Sequence, residues 1–235
     1  KTPAHRRSIW FHTASAGNFE QARPLIEWHR KFHPNDAILV TFFSPSGYEL
    51  RKNHPLADVV CYLPEDLPSE VAAWHALVHP ALAIFVKYEF WYHHFMALQQ
   101  RHIPLLLVSA PFRPNQPFFR WPTRRFWGQM LQAVHHFFVQ DTASAALLSA
   151  RGFHNHTVVG DTRTDRVLAL AEEPFIDPLL EAFSRGQRVL VAGSTWPADE
   201  KLLHAWWLAH PEARLVVAPH EISPARTKAL CSLFG

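Results

Sequence analysis

The sequence predicts a doubly wound α/β protein: a Rossmann-like domain over residues 1–170, a linker over 171–187, and the beginning of a second Rossmann-like domain over 188–235. Two observations carry that prediction. Short apolar runs alternate with stretches of helical spacing from residue 9 onward, which is the pattern of a mostly parallel sheet covered by helices on both faces. The alternation stops at a segment holding Pro174, Pro178 and Gly186 and then restarts, as it does where one sheet ends and another begins.

Taken in order, Ile9 to Phe11 read as a strand, Ser15-Ala16-Gly17 as a tight turn and Phe19 to Phe32 as a helix. Pro24 restricts that helix, because a proline is tolerated only in the first turn; the regular helix starts near Gln21 or is kinked at the proline. Further strands are expected at Ala37 to Phe43, Val59 to Leu63, Leu82 to Val86, Pro104 to Ser109, His136 to Val139 and Thr157 to Val159. The linker carries a short helix around Leu179 to Phe183. Beyond it come a strand at Arg188 to Ala192, a turn at Ser194-Thr195, a helix at Ala198 to Ala209, a strand at Ala213 to Ala218 and a helix at Ser223 to Leu233. Two βα units do not cover both faces of a sheet, so the pattern predicts a chain that stops inside its second domain. The chain also opens almost directly on a strand, as a domain does when sequence precedes it.

Composition narrows the class. With 48% hydrophobic and 18% charged residues the chain is globular rather than disordered. No run reaches the roughly 18 uncharged apolar residues of a membrane span, and the first residues lack the apolar stretch of a signal peptide. Cys61 and Cys231 stand far apart and in no ligand motif, which speaks for a reducing, cytoplasmic compartment. None of the 17 histidines falls in a compact metal-ligand spacing, so no metal is expected. The net charge of +3 matters less than its distribution. Between Pro111 and Gly128 stand Arg113, Arg120, Arg124 and Arg125, no acidic residue, and six aromatics: Phe112, Phe118, Phe119, Trp121, Phe126 and Trp127. Arginines pair with phosphates and aromatic rings favour the headgroup boundary of a membrane. A core helix with a solvated basic face is the competing reading. Nucleic-acid binding has no module signature to support it.

Polar chemistry gathers at strand ends. The first strand, turn and helix place unpaired N–H groups and a helix dipole beside a cleft, which suits an anionic ligand; an ordinary βα turn is the alternative. Glu89 follows the run Leu82 to Val86, either facing a ligand or capping the next helix, and Lys87 is its partner or a solvated charge. Ser44 to Gly47, including Ser46, offers small residues and backbone donors at another strand end, or a plain turn. Gly193-Ser194-Thr195 suits a phosphate at a strand-to-helix turn, and His220 follows the next strand.

In order, HTASAGNFEQARPLIE, TFFSPSGYE, FVKYEFW, the SAPFRP run, VVGDTRTDR and VAGSTWPADE resemble the 3-deoxy-D-manno-octulosonic acid (Kdo) transferases of lipopolysaccharide synthesis. The resemblance covers nearly the whole chain. It implies the two-domain GT-B glycosyltransferase fold, with the acceptor on the first domain and the nucleotide-sugar on the second. It implies inverting transfer from CMP-Kdo to a lipid A precursor at the cytoplasmic face of the inner membrane, without a cofactor or a bound metal. The protein would be peripheral there, or anchored by a segment outside this sequence. Ser15, Gly17, Ser46, Gly47, Lys87 and Arg113 would then serve the acceptor, Glu89 would be an acceptor-site carboxylate, and Gly193, Ser194, Thr195 and His220 would serve the donor. One position departs from the family pattern. Gly17-Asn18-Phe19 stands where the family has Gly-Glu-Phe, with Glu as its catalytic base. A carboxamide has no useful basicity, so Asn18 orients a hydroxyl but does not take its proton. Glu20 lies two residues on, rotated by about 200° on a helix, and should face away. An impaired, glycolipid-binding homologue is therefore the second reading. A nucleotide-sugar epimerase of similar fold is the third, and it leaves the Arg and aromatic stretch unexplained. Pro219-His220-Glu221 likewise lacks the Arg of the family's Pro-Arg-His region.

Overall fold

A computed structural model describes residues 6–172 and 176–235. The chain divides into two compact units, Lys1–Glu173 and Pro174–Gly235. Residues 173–175 of the expected linker, and the side chains of Arg124 and Arg125, lie outside the described residues.

The first unit alternates strictly: β1 (Ser8–His12), α1 (Ala16–Phe32), β2 (Ala37–Phe42), α2 (Pro45–Arg51), β3 (Val59–Tyr62), α3 (Pro68–Leu77), β4 (Leu82–Val86), α4 (Tyr92–Gln100), β5 (Leu105–Ala110), α5 (Arg124–Gln132), β6 (His136–Val139), α6 (Thr142–Ser149), β7 (His156–Val158) and α7 (Thr162–Glu172). Its seven strands are all parallel, in the order β3-β2-β1-β4-β5-β6-β7. Strand order therefore reverses between β1 and β4, and a ligand crevice opens beyond the carboxyl ends of strands at such a switch point. β1 and β2 are buried along their whole length, as a sheet covered on both faces requires. Two apolar layers cover it. One is built around Trp10, Phe85, Phe95, Leu107 and Phe137, the other around Ile9, Phe11, Phe19, Ile38 and Val40. Alternate residues of β1 thus feed opposite layers, the period of two that a strand imposes.

The second unit comprises α8 (Pro178–Ser184), β8 (Arg188–Thr195), α9 (Pro197–Ala209), β9 (Ala213–Pro219) and α10 (Pro224–Phe234), with β8 and β9 parallel.

Three expectations need correction. α1 begins at Ala16, not near Phe19 or Gln21, because the Ser15 side chain caps it by accepting from the Asn18 N–H. Pro24 consequently stands in the helix interior, where the Glu20 carbonyl receives no i+4 donor. β8 runs on to Thr195 instead of turning at Ser194, with a register shift between Gly193 and Thr195 and Ser194 in the left-handed region at φ 59°. α7 continues to Glu172, across the boundary expected at residue 170.

Candidate active site

At the switch point the loops after β1, β2 and β4 meet. Ser44 N–H donates to the Ala14 carbonyl at 2.7 Å, and Thr13 N–H to the Thr41 carbonyl at 2.9 Å, which ties the first two loops together. Gly47 closes the joint. A Cβ there would stand 2.9 Å from the Ala16 nitrogen and 2.8 Å from the Phe42 ring, so this glycine serves the approach of α2 to the α1 N-terminus. Gly17, by contrast, is exposed, with only the Ser15 hydroxyl near the place of a Cβ. Ser46 is exposed too, its hydroxyl 2.8 Å from that of Ser44.

Glu89 collects the site. Its Oε2 accepts from Trp91 Nε1 at 3.0 Å and meets His12 Nε2 at 3.3 Å, while Oε1 accepts from Asn18 Nδ2 at 3.5 Å. The carboxylate thus spans β1, α1 and the turn after β4, with the Asn18 carboxamide against it. His12 is fully buried, and its Nδ1 lies 2.9 Å from Thr41 Oγ1, which also accepts from Trp10 Nε1 at 2.8 Å. Burial lowers the His12 pKa, against the hydrogen bond and charge of Glu89 and the Thr41 backbone, which favours the neutral imidazole. Neither His12, Thr41 nor Trp91 was assigned a role from sequence. A readable signal existed for His12, which directly follows the apolar run Ile9 to Phe11 at the end of a strand.

Glu20 is held elsewhere. Its carboxylate meets Arg51 at 2.6 Å, Arg166 at 3.5 Å and Arg23 at 3.8 Å, on another face of α1 from Asn18. Lys87 sits at φ 68°, a costly conformation for a non-glycine residue. Its pKa is lowered by partial burial and by the Arg163 cation, against the Asp161 carboxylate. Asp161 accepts from Gln21 Nε2 at 2.5 Å, Gln140 Nε2 at 3.0 Å and the Arg163 N–H at 2.9 Å. Burial raises the Asp161 pKa, but the Arg163 backbone, Gln21 and the nearby cations outweigh it and the net shift is downward. Arg113 is exposed, with its guanidinium 6.0 Å from the Tyr88 ring centroid, beside Lys87 and Glu89 in the chain.

The Arg and aromatic segment divides. Phe112 and Phe118 are buried in the core and Phe119 and Trp127 pack against it, whereas Trp121 is 80% exposed and Phe126 51%. The stretch is therefore part core and part exposed surface.

Within the second unit, Ser194 Oγ lies 2.8 Å from His220 Nδ1, and the Trp196 ring stacks on His220 at 4.7 Å. Ser194 and His220 therefore meet, and Trp196 joins them unforeseen. Thr195 differs: its buried hydroxyl donates to Glu200 Oε1 at 2.9 Å, and Glu200, buried as well, pairs with Arg226. The space at Gly193 is open. Among the described residues no group of three or more His, Cys, Asp or Glu could hold a metal ion, and no helix is long and apolar enough to cross a membrane.

Two successive Rossmann-like units, the first with polar groups gathered at its topological switch point, define a GT-B type fold. Solved structures share it. UDP-GlcNAc 2-epimerase of Neisseria meningitidis, bound to UDP-GlcNAc, aligns over 97% of this chain and 69% of its own at 13% identity and a TM-score of 0.67. MurG of Acinetobacter baumannii aligns over 97% of this chain and 62% of its own at 10% identity and a TM-score of 0.53. At such identities the likeness establishes the fold alone. Sequence establishes the family: residues 1–166 match the 3-deoxy-D-manno-octulosonic-acid transferase (kdotransferase) family, and the chain belongs to it. The 3-deoxy-D-manno-octulosonic acid transferase of Haemophilus influenzae is 25% identical over 238 aligned positions, which cover 97% of this chain and 55% of that protein. The chain thus spans about half the length of that relative.

Proposed function

We propose that the protein transfers Kdo from CMP-Kdo to a sugar hydroxyl of a lipid A precursor, with inversion at the transferred carbon. The carrying observation is the Glu89 carboxylate at the switch point. In this reading the acceptor oxygen attacks the anomeric carbon while the bond from that carbon to the CMP phosphate oxygen breaks. The hydroxyl proton passes to Glu89 Oε1, where Asn18 Nδ2 holds the carboxylate from one side. Charge on the departing phosphate is met by His220 and by the backbone around Gly193, Ser194 and Thr195, without a cofactor or a metal. Ser15, Gly17 and Ser46 line the turns where the acceptor enters, with Lys87 and Arg113 toward its phosphates; Gly47 shapes the joint from beneath. The exposed Trp121, Phe126, Arg113 and Arg120 support a membrane surface as the place of work, the cytoplasmic face of the bacterial inner membrane, with no nucleic acid involved.

A second reading is a glycolipid-binding homologue without turnover. It is favoured by Asn18 in place of the family's base and by the three arginines that occupy Glu20. CMP release from CMP-Kdo, measured with a lipid A precursor, decides between them. Transfer should fall at least ~100-fold in Glu89→Gln, the lower range for loss of a general base. Lipid binding with no turnover would select the second reading instead.

A further inference from the structure

Behind Glu89 runs a chain of three buried side chains whose donors and acceptors, with a neutral imidazole, admit one consistent assignment. An indole N–H only donates, so Trp10 Nε1 gives its hydrogen to Thr41 Oγ1 at 2.8 Å. A carboxylate only accepts, so the His12 nitrogen facing Glu89 Oε2 at 3.3 Å must carry a hydrogen. In a neutral ring the other nitrogen, Nδ1, is then a bare acceptor, and the group beside it at 2.9 Å is the Thr41 hydroxyl. That hydroxyl has one proton to give, and the indole already supplies its oxygen. The reverse tautomer sets the bare Nε2 lone pair against the carboxylate and leaves the hydroxyl proton without its imidazole acceptor.

We propose that His12 is the positioning residue for Glu89, fixed as the neutral Nε2–H tautomer by a relay running from Trp10 through the Thr41 hydroxyl. His12, Thr41 and Trp10 are each fully buried, so water does not compete for these bonds. Thr41 is the direct neighbour of His12 across the β1–β2 ladder, and Phe85 of β4 is its neighbour on the other side, with ring centroids 4.9 Å apart. The ring is therefore held by hydrogen bonds at both nitrogens and by packing on its face. Trp91, whose ring lies 5.8 Å from that of His12, shares Oε2 with it. Oε2 is thereby committed to His12 and Trp91, and Oε1 meets the Asn18 carboxamide. The relay thus selects which carboxylate oxygen meets an acceptor hydroxyl.

This inference rests on the reading of Glu89 as the acceptor-site base, and its test is arranged to fail separately from that reading. Nitrogen-15 NMR of histidine-labelled protein near neutral pH should show His12 neutral with hydrogen on Nε2. Thr41→Val, close in shape but lacking the hydroxyl, should mix the tautomers, and Thr41→Ser should restore the single form. A His12 carrying hydrogen on Nδ1, or an unchanged spectrum in Thr41→Val, overturns the proposal whether or not the protein has transferase activity. In kinetics, His12→Phe should lower kcat about 100-fold with little change in acceptor KM, the scale of a reacting group displaced by an ångström. His12→Gln, which keeps a donor toward Glu89, should recover most of that loss. Equal kcat in His12→Phe and the parent overturns the positioning role. If neither turns over, the Glu89 side-chain rotamer in crystals of both decides: a rotamer unchanged in His12→Phe overturns it.

Discussion

At the scale of single residues, the site turns on an amide set against a carboxylate. Asn18 donates to Glu89, so the two side chains meet without charge repulsion. Asn18→Glu would place two carboxylates in that space, and like charges sharing a site raise the pKa of one of them strongly. If the missing base at position 18 limits turnover, as the second reading holds, transfer in Asn18→Glu should exceed that of the parent by about 100-fold or more, with a pH profile that gains an ionisation above the ordinary carboxylate range. Equal rates in parent and variant would show that Asn18 limits nothing. A second residue-scale consequence concerns His75 and His94, both buried beside Trp10 with their ring centroids 5.7 Å apart. Burial, reinforced by His94, Arg101 and His79, lowers the His75 pKa from 6.5 to about 4. Burial also brings His94 to about 4, with His12 and His93 adding and Asp66 and the Pro64 backbone opposing. The unfolded chain binds more protons than the folded one between those values, so stability is complete above about pH 6.5 and declines as pH falls toward 4. Urea midpoints should drop between about pH 7.5 and 4.5, and less so in His75→Phe, which also removes two ring nitrogens without partners among the described residues. A pH dependence identical in the variant would refute the assignment to His75.

At the scale of elements, the position of α1 depends on its cap and on the glycine beneath it. Ser15→Ala removes the cap on the Asn18 N–H and should cost about 1 kcal/mol in chemical denaturation. Gly47→Ala should cost more, about 1–3 kcal/mol, because the new methyl meets backbone at Ser15 and Ala16 as well as the Phe42 ring. Since the same backbone carries Asn18, this variant should also lose transfer activity. Stability lost with activity intact would mean that the joint between α1 and α2 is separable from the site. Elements also explain where the sequence misled. The Pro24 rule offered a helix start near Gln21 or a kink at the proline because it weighs local backbone cost alone; the helix starts at Ala16, and burial of Phe19, Gln21, Ala22 and Ile26 and the Ser15 cap hold it around its proline.

At the scale of the whole molecule, the two units differ in how much they bury. Among the described residues every fully buried hydrophobic side chain lies between Ile9 and Leu148, while the second unit buries Thr195 and Glu200. Local stability follows buried apolar area. In the 235-residue chain, amide exchange should accordingly be slowest in β1, β2, β4 and β5 and faster in β8 and β9. Equal protection in both sheets would contradict the difference. The exposed basic and aromatic side chains of the first unit carry a second prediction. Binding to anionic vesicles should weaken with salt and fall in Arg113→Glu with Arg120→Glu, each charge being worth about 1 kcal/mol near such a surface. Unchanged binding would remove this face as the membrane contact.

The sequence by itself determined the order and kind of nearly every element, because parallel strands and their covering helices write period and length directly into the chain. It also marked Asn18 and Glu89, through the ordered motifs and the ends of apolar runs, and it foretold the turning away of Glu20, which depends only on helical rotation. What it left open was pairing across distance. His12 lies 77 residues from Glu89 and 29 from Thr41, and Gln21 lies 140 from Asp161. No local period encodes such distances. The tertiary structure decided these partners because strand order sets β1 between β2 and β4, and that placement brings an imidazole, a hydroxyl and a carboxylate to one end of the sheet. It likewise committed Thr195 to a buried Glu200 and left Ser194 to His220, where β8 breaks register between Gly193 and Thr195 with Ser194 in the left-handed region.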